Sequence, residues 1–93
     1  MKTVKFTVEP SGNLEGYFLT VDGTTIALIN DTGSITLSSG IHFLVWFLIG
    51  DPGSTIKITG EITENGVTKK IIEFDDGIAP GRSRGGGKYD FEL

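Results

Sequence analysis

Apolar and polar residues alternate with a period of two along most of this chain. In Lys2–Val8, Val4, Phe6 and Val8 alternate with Thr3, Lys5 and Thr7. In Thr55–Thr63, Ile56, Ile58 and Ile62 alternate with Lys57, Thr59, Glu61 and Thr63. In Lys88–Leu93, Tyr89, Phe91 and Leu93 alternate with Lys88, Asp90 and Glu92. Such alternation predicts strands with one face on a core and the other in water. Further strands are expected at Leu14–Val21, Thr24–Asn30, Ser34–Ser38 and Val67–Phe74. Asp22-Gly23 and Asn65-Gly66 are two-residue hairpin signals, and other turns fall at Pro10–Asn13, Asp31–Gly33 and Asp51–Gly53. No window places apolar residues at helical spacing over three turns.

One segment departs from the alternation. Ile41–Ile49 (IHFLVWFLI) is apolar on both sides, with Ile41, Phe43, Val45, Phe47 and Ile49 facing one way and Leu44, Trp46 and Leu48 the other. A strand of that kind is expected in the middle of a sheet, covered on both faces. It is too short to cross a bilayer as a helix, which takes about 20 apolar residues. The expected architecture is all-β, an antiparallel β-sandwich of immunoglobulin-like type with seven to eight strands, in a single domain over residues 1–93. Gly77–Lys88 (GIAPGRSRGGGK) is the longest stretch without alternation and reads as a long Gly-rich loop.

Composition narrows the function more than the fold. The chain carries 14 glycines and 3 prolines, which suits many tight turns and disfavours long helices. Its net charge of −4 opposes a nucleic-acid partner. The absence of cysteine excludes disulfides, thiolate metal sites and a Cys nucleophile. MKTVKFTVEP has no apolar segment of signal-peptide length, so the chain as written is expected in the cytoplasm, or exported if a leader had been removed.

Residues with catalytic or ligand chemistry are few. His42 is the single histidine, and no sequence signal sets Ser34, Ser38 or Ser39 beside it in a triad. It reads as a strand-end histidine hydrogen-bonded to backbone. One histidine without cysteine does not make a zinc site. Asp75 and Asp76 form an acidic turn ahead of Gly77, but no calcium-loop string is present. GRSRGGGK is not a phosphate-binding P-loop, because Tyr89 follows Lys88 where Ser or Thr is needed and a strand follows in place of a helix. No cofactor or metal is expected, and no enzymatic activity.

From Val21 to Trp46 the chain reads VDG…SITLSSGIHFLVW. It resembles the small bacterial immunoglobulin-like and PEGA-like modules, in which a V-D-G turn precedes a short strand and an S/P-G-x-H turn opens a strand through the core. It lacks the Pro-Gly-Ala entry of the PEGA pattern. The resemblance implies a non-catalytic extracytoplasmic or linker module and transfers no site residues.

Three groups of residues are the candidate binding sites. Arg82, Arg84 and Lys88 form a basic stretch on an acidic protein, suited to an acidic partner, a carboxylate or a phosphate, with Asp75 and Asp76 beside it. Trp46 and Tyr17 are candidate platforms for a carbohydrate ring. The Leu44/Trp46/Leu48 face, or an edge strand, is a candidate contact for self-association. The favoured function is a binding or assembly module acting on a protein partner through a sheet face or the Gly77–Lys88 loop. Carbohydrate binding through exposed aromatics is the alternative and a small enzyme the least favoured reading, with no nucleic acid and no membrane insertion.

Overall fold

A computed structural model describes residues 1–93. It contains eight strands and no helix: β1 (Lys2–Ser11), β2 (Leu14–Val21), β3 (Thr24–Thr25), β4 (Thr32–Leu37), β5 (Ile41–Gly50), β6 (Thr55–Glu64), β7 (Val67–Gly77) and β8 (Arg84–Glu92). They form two four-stranded sheets in the orders β4-β1-β6-β7 and β3-β2-β5-β8. Every pairing is antiparallel. No helix is present that is long and apolar enough to cross a membrane.

The hairpins form where the turn chemistry asks for them. Asp22-Gly23 joins β2 to β3 with φ of 51° and 83°, and Asn65-Gly66 joins β6 to β7 with φ of 52° and 77°. Paired left-handed residues match the twist of the flanking strands, and Asn, Asp and Gly take that conformation at least cost. Every other connection passes from one sheet to the other. Thr24–Asn30 is accordingly not a full strand. β3 ends at Thr25, Ile26 turns into the core, and Asn30 and Asp31, at φ of 53° and 62°, carry the chain across to β4.

The sheets face each other over one cluster of sixteen buried apolar residues. The first sheet contributes Val4, Phe6 and Val8 from β1, and Ile56, Ile58 and Ile62 from β6. The second contributes Leu19 and Val21 from β2, Leu44, Trp46 and Leu48 from β5, and Phe91 from β8. Burying each such side chain is worth about 1.5–3 kcal/mol against leaving it in water.

Two expectations are overturned here. β5 is central in its sheet, between β2 and β8, but is covered on one face alone. Leu44/Trp46/Leu48 is the core face, so it is not available for self-association. The Ile41, Phe43, Phe47 and Ile49 side chains point away from the core and remain exposed. Gly77–Lys88 is not a long loop. β7 runs on through Asp75 and Asp76 to Gly77 and β8 begins at Arg84, so only residues 78–83 connect them, and Asp75 and Asp76 are strand residues rather than a turn.

Candidate apolar docking face

The outer faces of the two sheets differ in kind. On the first, Lys5 lies opposite Glu61, Glu9 opposite Lys57 and Glu61 opposite Lys70. Ion pairs join Lys57 to Glu73 (3.6 Å) and Lys70 to Glu73 (2.6 Å). That is a solvated face held by cross-strand charge pairs. On the second, the middle strand presents Ile41, Phe43, Val45, Phe47 and Ile49, flanked by Phe18 of β2. Phe43 and Phe47 are 50% and 48% exposed. Phe18 and Phe47 are directly opposite, and their rings stack with centroids 5.0 Å apart.

A groove of about 450 Å³ opens beside that pair, lined by Phe18, Phe47, Ile49, Arg84, Gly85 and Gly86. Its existence follows from glycine. Gly86 lies opposite Phe47 on β8, and a Cβ there would stand 2.5 Å from the Trp46 carbonyl oxygen. No side chain fits, so one flank of Phe47 stays open. The next residue serves the other face. A Cβ on Gly87 would stand 2.8 Å from Trp46 Cζ2, so the indole lies against bare backbone. Trp46 Nε1 donates to Asp76 Oδ2 across the sandwich at 2.6 Å, and Asp76 Oδ1 accepts from the Gly77 amide at 2.8 Å. Phe74 packs on Trp46 at 4.5 Å. The glycine run is thus a strand shaped around an indole.

His42 stands at the start of β5, buried. Its Nδ1 donates to Asp22 Oδ2 (2.6 Å) and its Nε2 donates to the Ser38 carbonyl (2.7 Å). Both partners only accept, so both ring nitrogens carry protons and the ring is an imidazolium. The bond to Asp22, then the one to Ser38, raises the His42 pKa above the ordinary imidazole value. The bond from His42, then that from the Phe43 amide, lowers the Asp22 carboxyl below its usual range. No serine hydroxyl is bonded to the ring. The residue ties the β2–β3 and β4–β5 turns to the start of β5.

The residues singled out from the sequence are scattered rather than gathered. Arg84 lines the groove and Lys88 lies farther along the same outer row of β8. Arg82 stands apart in the 78–83 connection. Asp75 is exposed on the polar outer face opposite Lys57, whereas Asp76 is engaged by Trp46. Trp46 is buried and offers no platform to a sugar. Tyr17 points inward, and its hydroxyl donates to Asp31. Burial, then that bond, pushes the phenol up to about 12. Phe18, Phe43, Phe47 and Ile49 form a surface that the residues of β5 alone do not reveal. A signal for them existed on β8, where the outward positions are charged or Gly and the inward ones are Gly, Tyr and Phe. No group of three or more His, Asp or Glu side chains is arranged to hold a metal ion. Comparison with known proteins returns no match to a family model, a curated protein or a solved structure.

Proposed function

We propose that the chain is a non-catalytic docking module that binds a protein partner through the outer face of β2, β5 and β8. The supporting observation is the contrast between its two outer faces, one charge-paired and one carrying a continuous apolar row on its central strand. An isolated exposed Phe is ordinary, but a contiguous patch of this kind marks a contact surface. Protein is favoured over carbohydrate as the partner. The middle row is Phe, Val and Ile without Trp or Tyr, and the polar side chains beside it on β8 are the charged Arg84, Lys88, Asp90 and Glu92, which suit ion pairing with a protein surface. The likeness to immunoglobulin-like modules is the general one of two antiparallel sheets over one core. The strand order departs from the antibody constant-domain partition, since the first and second strands lie in different sheets.

The test is site-specific photocrosslinking in the producing cell, with a benzophenone side chain at Phe47 and, as control, at Lys5 on the polar face. Adducts from position 47 and none from position 5 are expected. No adduct from position 47, or equal adducts from both, rejects the docking face.

A further inference from the structure

The apolar face has an internal symmetry that points to its occupant. Outward side chains along β5 run Ile41, Phe43, Val45, Phe47, Ile49. The row reads the same in both directions about Val45. Beside it on β8, Arg84 pairs with Ile49, Gly86 with Phe47, Lys88 with Val45, Asp90 with Phe43 and Glu92 with Ile41. That row is the reverse of symmetric in charge, with Arg84 at one end, Lys88 in the middle and two carboxylates at the other end.

Resting on the docking-face reading, we propose that the occupant is a second copy of this chain. The two faces stack about a twofold axis through Val45 that lies in the interface, perpendicular to the strands. That rotation lays β5 antiparallel over its counterpart, so Phe43 of each copy meets Phe47 of the other and Ile41 meets Ile49. It also lays Arg84 of each β8 over Glu92 of the other. Phe43 enters the groove left open by Gly86, at the one flank of Phe47 that carries no side chain. Lys88 lies near the axis, and its flexible stem swings diagonally to the other copy's Asp90. A partner of single-sign charge would match only one end of β8. A second copy matches both, because isologous contact sets each patch against its own reversal.

Size fixes the expected strength. Three strands about 4.8 Å apart, each showing outward side chains over roughly 27 Å, give a patch of roughly 400 Å² per copy. That is about half of the ~800 Å² per partner found in stable interfaces. A patch of this size fits a weak dimer in exchange with monomer.

Sedimentation equilibrium of the full chain from about 1 to about 500 µM tests this. The expected result is a monomer–dimer equilibrium that weakens with added salt. Phe47→Lys is expected to weaken it more than tenfold. Arg84→Glu and Glu92→Arg are each expected to weaken it about tenfold, since every dimer holds two such pairs. The double swap R84E/E92R is expected to return to within about threefold of the parent. Arg84 and Glu92 lie at opposite ends of one strand and do not touch within a chain, so rescue arises only between copies. Circular dichroism verifies that each variant is folded. A monomer at all concentrations, or a double swap no better than the single changes, overturns the proposal. Crosslinks from position 47 that run to other proteins alone overturn the second copy while leaving the docking face standing. Absence of any crosslink there removes both.

Discussion

His42 shows how much one side chain sets locally. Its ring spans two acceptors from different turns, and Asp22 uses its second oxygen to hold the Phe43 amide at 2.9 Å. The sign of the pH dependence follows. A histidine whose pKa is raised on folding contributes stability in full below its unfolded value, about 6.5, and loses it as pH rises through the folded value. Asp22, whose pKa is lowered, contributes above its unfolded value, about 3.9, and loses it as pH falls. Thermal midpoints are expected to be highest between about pH 4.5 and about pH 6.5 and to fall as pH rises above about 6.5. In His42→Gln the fall above about pH 6.5 is expected to vanish. A parent whose midpoint rises there contradicts the imidazolium assignment. That His42 is a hydrogen-bonded strand-end residue was readable from its place after Gly40. Its partner Asp22 was not, because twenty residues separate them and only the β2–β5 pairing brings them together.

At the scale of elements, β5 and β8 show where alternation informs and where it fails. The nine residues Ile41–Ile49 are apolar at both parities, so nothing within that strand says which side faces the core. The neighbouring strand decides. Tyr89 and Phe91 share a parity with Leu44 and His42, and Lys88, Asp90 and Glu92 share the other. Reading β5 as covered on both faces ignored that its sheet has one layer to pack on. The glycines of β8 misled for a different reason. Gly-rich sequence ordinarily signals a turn or a mobile connection, but here side chains are missing because an indole and a carbonyl occupy their places. Gly87→Ala therefore drives a methyl into Trp46, and repacking against a rigid ring costs about 1–3 kcal/mol. Urea unfolding is expected to show that loss, together with a blue or red shift in tryptophan emission as the indole is displaced. An unchanged midpoint and spectrum would mean that the ring does not rest on Gly87.

For the whole molecule, the arrangement separates residues that hold the fold from residues that do not. β1 is internal to its sheet, paired with β4 and β6, and its Phe6 is fully buried with an edge-on contact to Phe91 at 6.4 Å. A chain of this size has about 5–10 kcal/mol of net stability. Phe6→Ala is expected to remove about 3–5 kcal/mol and bring the protein close to unfolding. Phe47 is the same residue type, also in a central strand, yet half its surface meets water and its support is one stacked ring. Phe47→Thr puts a β-branched, strand-favouring residue on an open face, and in dilute monomer it is expected to change stability by no more than about 0.5–1 kcal/mol. Stability alone would have allowed a polar residue there, as on the opposite outer face. Denaturation of both variants at low micromolar concentration measures the contrast. If Phe47→Thr costs as much as Phe6→Ala, the outer row is structural, and the argument that it exists to meet a partner loses its basis.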